Sequence, residues 1–443
     1  MRTIFREILI KVLQAESKLV LLKYKPKIIT ITGSVGKTST KDAIYAMLSE
    51  VAYVRKSDKS YNSELGLPLT ILGVPNGWNN FSVWMENIAK GLWLILAPHK
   101  YPTWLVLEVG VGKPGDMRRT ASWLRTDAVV LTTITDPPAH IEFFDSRKHL
   151  VEEKSGLIKT LKKDGVLILN RDNETVMSMG VKTKNRIVTY GFNSEADVVG
   201  SADSISYEAG KPHGLVFRVD VEGKSLPVVI DGVFGKNHIS AAMATLALAH
   251  GLKLNILDAI NSLKSYDFPP GRMRLLAGIN DTLIIDDSYN SSPFACESAL
   301  QTLGEVELLK DADGKVGRKI AVLGDMLELG KHTVEAHKKI GKIARQVADV
   351  LIVVGPRAEA IKDGALEDDA VALEPGKTLE IFEFLDSQSV GDFVKTFIKN
   401  GDVILVKGSQ GVRMERVVGE ILLDQKNKAD LIVRQDKEWL AKK

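Results

Sequence analysis

Ile28-Ile29-Thr30-Ile31-Thr32-Gly33-Ser34-Val35-Gly36-Lys37-Thr38-Ser39-Thr40 is the stretch that decides the fold of this chain. An apolar, β-branched run ends in a glycine-rich turn, and Lys41–Leu48 continues with a helix-compatible pattern. A strand, a phosphate loop and a helix in that order mark a site for a nucleoside triphosphate with magnesium. Gly33 and Gly36 let the backbone turn tightly enough to aim N–H groups at phosphate oxygens. Lys37 has the length to reach the β- and γ-phosphates, and the Thr38 hydroxyl is a magnesium ligand in such loops. The general motif has a further glycine where Ile31 stands. The match therefore leans on the strand before the loop and the helix after it.

Outward from the loop, strand-like runs alternate with helical patterns: Ile28–Thr32, Trp104–Val109, Ala128–Thr133 and Gly165–Asn170. Such alternation predicts a mainly parallel sheet covered by helices. Residues 185–232 differ, with short alternating segments such as Gly214–Val221 and Ser225–Ile230, and they predict an antiparallel excursion at the edge of that domain. Gly235–Gly251 reads as an alanine-rich buried helix. Asp267-Phe268-Pro269-Pro270-Gly271 is a turn-rich hinge. Beyond it the alternation resumes at Thr282–Asp286, Lys319–Leu323, Val350–Val354 and Asp402–Val406. The expected class is α/β: a central P-loop ATPase-type domain over 28–268 and a Rossmann-like domain over 269–443, preceded by an amphipathic helix over 1–27.

At 443 residues the chain is long enough for two or three domains. It is 44% apolar and 26% charged with a net charge of +3, and no long Lys/Arg block points to nucleic acid. The single cysteine, Cys296, excludes an intramolecular disulfide framework and a cysteine zinc site, which fits a reducing, cytoplasmic compartment. No small-residue cleavage site follows the basic N-terminus. No run reaches the roughly 18 apolar residues that span a bilayer. In residues 4–22, Phe5, Ile8, Leu9, Val12 and Leu13 share a helical face, and Lys18, Lys23, Lys25 and Lys27 make the end basic. That pattern fits a helix packed on the body of the protein, or attachment to an anionic membrane surface at the inner face. Trp78, Trp84, Trp93 and Trp104 lie within 27 residues, and the Trp-rich stretch 76–103 reads either as a buried helix or as an apolar interaction surface.

Several further residues carry chemistry. Glu108 closes an apolar strand, where ligands bind in parallel sheets, and a carboxylate there can hold magnesium. His140 follows a proline-rich loop and by itself reads as a surface residue; Lys154 by itself reads as a solvated charge on a helix. Asp286-Asp287 ends the first strand of the second domain, and two acids there are costly unless they bind something. Lys407 stands at another strand end and is a candidate anion site.

Taken together, Gly33–Thr40, Asn62–Pro68, Glu108–Met117, Leu169–Asn173, Gly271-Arg272, Asp286–Pro293, Ala321–Gly330 and Gly401–Arg416 resemble the Mur ligase family, ATP-dependent amide-forming enzymes of peptidoglycan precursor synthesis. The likeness is to the branch that adds D-Ala-D-Ala to a muramoyl-tripeptide. It implies ATP, magnesium at two sites, and an acyl phosphate intermediate. It assigns Gly33, Ser34, Val35, Gly36, Lys37, Thr38 and Ser39 to ATP phosphates, with His238, Arg272 and Asp287 as further ATP contacts, Asp287 through the ribose. It assigns Thr38, Glu108, His140 and Lys154 to metals, Lys154 as a carbamylated lysine, and makes Lys37, Lys154 and His140 catalytic. It puts Asn62, Asn290, Asp325, Glu328, His337, Lys407 and Ser409 on the substrates. ATP contacts from both domains imply closure about the hinge at 267–271. Only residues 1–31 precede the phosphate loop, where the family carries a UDP-sugar-binding domain. The acceptor therefore stays open between a UDP-muramoyl-tripeptide and a different carboxylate, lipid-linked or non-nucleotide. A non-catalytic ATP-binding scaffold is the competing class, and the joint presence of Lys37, Thr38, Glu108, His140 and Lys154 argues against it.

Overall fold

The computed structural model describes residues 3–57, 61–136, 141–266, 268–308, 316–367 and 378–441. The chain forms two compact units, one of residues 1–201, 218–226 and 239–267, the other of 202–217, 227–238 and 268–443. The sequence reading puts all of 28–268 in one domain. In the structure, residues 232–234 pair with 273–275: Val233 bridges Arg274, Phe234 N–H donates to Met273 O at 3.0 Å, and Leu275 N–H donates to Gly232 O at 2.9 Å. Backbone pairing across a long sequence separation draws this segment into the second unit.

The first sheet runs through β1 (Lys27–Thr32), β2 (Val54–Lys56), β3 (Trp104–Glu108), β4 (Thr126–Leu131), β5 (Leu161–Asn170), β6 (Arg186–Gly191), β7 (Val198–Glu208), β8 (Lys211–Val221) and β9 (Lys224–Asp231). Its order is β2-β3-β1-β4-β5-β6-β7-β8-β9. The strands from β2 to β7 pair in parallel. β1 and β3 are buried along nearly their whole length, which is why they read as unbroken apolar runs. The antiparallel part begins later than 185, because β6 and the start of β7 still run parallel to their neighbours. It is made by the two-residue turns Ala209-Gly210 and Glu222-Gly223, all four residues at positive φ, the geometry that matches strand twist in tight hairpins.

Helices cover this sheet. α1 (Thr3–Tyr24) buries Leu9, Leu13 and Val20 in the same core as Ile28, Leu69 and Leu105, so it is packed on the body. α2 (Lys37–Ser49) follows the phosphate loop, and α3 (Gly66–Leu72) is buried throughout. α4 (Phe81–Leu96) starts at Asn80, whose side chain accepts from Ser82 N–H and Val83 N–H. α1 and α4 run parallel: Glu16 abuts Gly91, and one turn or two further on Lys23 Nζ donates to the carbonyls of Leu94 and Ile95, both at 2.9 Å. The Trp-rich stretch is divided between the two readings, with Trp84 and Trp104 buried and Trp78 and Trp93 exposed. α5 (Asp116–Ala121), α6 (Arg147–Ser155), α7 (Glu174–Met179), α8 (Lys236–Gly251) and α9 (Ile256–Ser262) complete the helices up to the hinge. No helix among the described residues is long and apolar enough to cross a membrane.

The second sheet holds β10 (Arg274–Gly278), β11 (Thr282–Asp287), β12 (Lys319–Gly324), β13 (Val350–Val354), β14 (Glu380–Phe384) and β15 (Val403–Lys407) in the order β10-β11-β15-β12-β13-β14. Only β10 is antiparallel. α10 (Pro293–Glu305), α11 (Thr333–Val347), α12 (Glu359–Leu366), α13 (Ser387–Phe397) and α14 (Glu415–Ile421) flank it. The register sets Asp287 beside Lys407 and Lys407 beside Leu323. The loops after β11, β12 and β15 therefore converge at the carboxyl ends of the strands, where open α/β sheets bind ligands.

Candidate functional site

Gly36 sits at φ 84° and ψ −6° and caps α2 without a side chain. The positive end of the helix dipole at this terminus favours an anion. Gly33 has φ 153°, and a Cβ there would lie 2.0 Å from Thr132 Oγ1. Only glycine lets the loop approach β4 this closely. Ser34 N–H donates to Thr133 O at 2.7 Å, and Thr132 Oγ1 donates to Val35 O at 2.7 Å. Lys37 Nζ reaches back over the loop to Ser34 O at 3.2 Å. Ser39 is buried, and its carbonyl accepts from Tyr266 Oη at 2.8 Å.

Glu108 is 1% exposed at the end of β3. The Thr38 hydroxyl donates to its Oε2 at 2.9 Å, and Asn62 Nδ2 donates to its Oε1 at 2.9 Å. Among the described residues its side-chain partners are thus neutral. A buried carboxylate with neutral partners favours a cation. Among the described residues no three His, Cys, Asp or Glu side chains cluster as a protein-only metal cage. That donor set suits magnesium, which takes one or two carboxylates together with substrate phosphates. Asn62, expected on a substrate, clamps Glu108 and accepts from Gly110 N–H through its main-chain carbonyl at 2.7 Å.

Lys154 on α6 is buried, and its Nζ donates to Gly33 O at 2.9 Å. It is not the solvated charge that its neighbours in sequence suggest. Burial, with the Lys37 charge adding to it, pushes the Lys154 amine down to about 7. A neutral amine is therefore well populated beside the phosphate loop. His140 lies outside the described residues.

In the second unit, Lys407 Nζ donates to Asp287 Oδ2 at 2.5 Å and to Asn290 O at 3.0 Å. Burial pushes the Asp286 carboxyl up to about 6; its Oδ1 accepts from Ser288 N–H at 3.1 Å, and its Oδ2 has no partner among the described residues. Asn290 Oδ1 accepts from Gln410 N–H at 3.2 Å, and Ser409 Oγ accepts from Leu327 N–H at 2.9 Å. Asp325 Oδ1 accepts from the N–H groups of Arg357 and Ala358 at 2.9 and 2.7 Å. Glu328 is exposed, with its backbone in the left-handed region at φ 63°. Arg272 stacks over the Tyr289 ring at 4.0 Å.

Two histidines differ from their expected roles. His337 is fully buried, its Nδ1–H donating to Thr333 O at 2.7 Å and its Nε2 accepting from Met326 N–H at 2.9 Å. It fastens the loop after β12 to α11 instead of facing a substrate. Burial holds it below the usual histidine range, as a neutral ring accepting at Nε2 requires. His238 is also buried, edge-on to Phe268, and its Nε2–H donates to Arg272 O at 2.7 Å. Burial pushes it down to about 4. A ring so enclosed fixes the segment carrying Arg272 and does not present this nitrogen to a purine.

Thr132 and Thr133 escaped the sequence reading, although the end of β4 was a signal for them. Tyr289, although inside the Asp286–Pro293 segment, and Arg357, outside every motif, escaped it too, because their contacts exist only in the folded chain.

Comparison with known proteins gives two family matches: the Mur ligase middle domain over residues 31–249 and the Mur ligase glutamate ligase domain over residues 271–410. The UDP-N-acetylmuramoyl-tripeptide–D-alanyl-D-alanine ligase of Bacillus subtilis (strain 168) is 29% identical over 415 residues, covering 93% of this chain and 79% of the relative. The protein of the same name from Synechocystis sp. is 30% identical over 404 residues, covering 90% and 75%. Among solved structures, the MurF ligase of Thermotoga maritima in complex with ADP is similar at a TM-score of 0.73 and 26% identity, covering 92% of this chain and 82% of that one.

Proposed function

The chain belongs to the Mur ligase family, and from that premise we propose that it is an ATP-dependent, ADP-forming ligase joining D-alanyl-D-alanine to a UDP-N-acetylmuramoyl-tripeptide. The acceptor carboxylate attacks the γ-phosphorus of ATP, the bond to the β,γ-bridging oxygen breaks, and ADP leaves. The amine of D-alanyl-D-alanine then attacks the acyl carbon. Phosphate departs with the acyl oxygen, and the amine loses a proton as the amide forms. The observation that carries this reading is the buried Glu108 carboxylate, 2.9 Å from the Thr38 hydroxyl at the start of the helix after the phosphate loop.

The N-terminus of α2 and the Lys37 side chain hold and orient the phosphates. Thr38 and Glu108 would hold magnesium, with Asn62 keeping Glu108 in place. Bound magnesium supplies neutralisation of charge on the transferring phosphoryl group. Once carbamylated, Lys154 would supply an anionic ligand for a second metal: its neutral amine takes up CO2 and releases one proton. The lowered amine supports this step, because only the neutral form is nucleophilic. Arg272 and Asp287 serve ATP, while Asn290, Asp325, Glu328, Lys407 and Ser409 shape the place of the incoming amine. Peripheral contact with a membrane through residues 1–24 or 76–103 belongs to the same reading, supported by the lysines and exposed apolar side chains of those segments.

Phosphate release tests the reaction. Turnover should require ATP-Mg²⁺, the UDP-muramoyl-tripeptide and D-alanyl-D-alanine together, with the ligated peptide seen by mass spectrometry. Release with some other carboxylate and none with the tripeptide would retain the ligase chemistry and overturn the acceptor.

A further inference from the structure

We infer that the outer face of α4 lies in the interface of an anionic lipid bilayer, and that the lysines of the adjacent α1 select the anionic surface. This rests on the membrane part of the reading above and commits it to one inserting element.

Phe81, Met85, Ala89, Leu92 and Leu96 recur at helical spacing along one side of α4, and all are solvent-exposed. Leu96 is 79% exposed and Trp93, on the flank of the stripe, 62%; Trp78 just before the helix is exposed as well. The opposite side is the one that packs, through Trp84, Asn87 and Gly91. A continuous apolar stripe the length of a helix is far more than the scattered surface hydrophobics of a soluble protein. Tryptophan at its border is the side chain that favours the boundary of acyl chain and headgroup. Sixteen residues give about 24 Å of helix, less than the roughly 30 Å of a hydrocarbon core, so α4 lies in the surface and does not span it.

The occupant is chosen by charge. α1 carries Arg6, Lys11, Lys18 and Lys23 against Glu7 and Glu16, and Glu16 is buried against α4. Lys11 and Lys18 are exposed beside a second apolar stripe of Ile8, Leu19 and Leu22. Lys25 and Lys100 add exposed positive charge at the ends of the pair, while Lys90 is neutralised by Glu86 at 2.6 Å. A second copy docking through this face would bring like charges together, whereas anionic headgroups complement them. α1 cannot itself be the detachable anchor, because Leu9, Leu13 and Val20 are part of the core.

Flotation of the full chain with vesicles is the test, and it needs no turnover, so it succeeds or fails independently of the acceptor. The protein should float with phosphatidylglycerol/phosphatidylcholine vesicles and bind phosphatidylcholine alone about tenfold less. Phe81→Ser/Leu92→Ser/Leu96→Ser should lower binding about 100-fold or more, since burying each such side chain is worth roughly a factor of ten. Lys11→Glu/Lys18→Glu should remove the preference for the anionic lipid. Unchanged thermal unfolding and ATP turnover in solution identify variants that fold. Brominated lipid should also quench the wild-type tryptophan fluorescence, and less so in Trp78→Phe/Trp93→Phe, which leaves the stripe intact. Absence of vesicle binding, undiminished binding by the triple variant, or a dimer in solution that the triple variant breaks would each overturn the inference.

Discussion

The Thr38 hydroxyl donates to Glu108 Oε2 across 2.9 Å, tying the first turn of α2 to the end of β3 over 70 residues of chain. The only other side chain bonded to that carboxylate among the described residues is Asn62, which occupies the second oxygen. The geometry thus separates a ligand from the residue that aims it.

Glu108→Gln keeps the shape and removes the charge. Phosphate release should fall about 10²–10³-fold, in the range for loss of one preorganised electrostatic contact, and the magnesium concentration for half-maximal rate should rise. Asn62→Ala should cost less, about 10–100-fold, with the same shift in magnesium dependence. An unchanged magnesium dependence in Asn62→Ala would show that it does not act through Glu108.

Carbamylation of Lys154 should follow its own titration. Its ordinary value is 10.5 and burial brings it to about 7, so the protonated, unreactive form dominates below about 7 and the neutral form above it. With ¹³C-bicarbonate, a carbamate carbon signal should grow as pH rises through about 7 at constant dissolved CO2. It should be absent in Lys154→Ala, which should also lose most activity without rescue by bicarbonate. A wild-type protein with no carbamate signal and an active Lys154→Ala would remove the role.

Gly33→Ala should damage the loop by contact with a named atom. The added Cβ would meet Thr132 Oγ1 at 2.0 Å in a backbone conformation that disfavours side chains. The expected cost is about 1–3 kcal/mol in unfolding free energy, with weakened ATP binding by calorimetry. Thr132→Ala deletes the clashing oxygen and should recover part of the loss in the double variant. Purely additive effects would mean that the clash is not the cause.

Lys407 and Asp287 form a buried ion pair, 1% and 10% exposed at the side chain. Lys407→Met leaves the Asp287 carboxylate buried without its cation and should destabilise the second unit by about 3–5 kcal/mol. Lys407→Met/Asp287→Asn should be less harmful than Lys407→Met alone, since no uncompensated charge remains. Chemical denaturation of the wild type, Lys407→Met, Asp287→Asn and the double variant gives the coupling, and a double variant worse than Lys407→Met would contradict the pairing.

How far the chain could be read without coordinates depends on the range of the interactions. Ile28–Thr38 specified a strand, a glycine turn and a helix start, because β-branching, positive φ at Gly36 and the spacing of Lys37 and Thr38 are local properties. The buried inner strands β1, β3, β4, β5, β11, β12, β13 and β15 were legible for the same reason, since buried parallel strands must be apolar on both faces, whereas β2, β6, β7, β10 and the half-exposed β14 were not. The family likeness came from segments of that kind, and Glu108 was visible as a carboxylate at a strand end.

What the sequence alone determined was therefore the αβ order, the phosphate loop and the family. Tertiary structure alone decided which side chains meet. It turned Asn62 onto Glu108, brought Lys154 to Gly33 across 121 residues, and enclosed His238 and His337 in backbone hydrogen bonds. It also chose which side of α4 faces out, since an apolar helix has no inward side until α1 packs against it. Local chemistry sets conformation along the chain; burial, charge and partner are set by neighbours that only the folded backbone supplies.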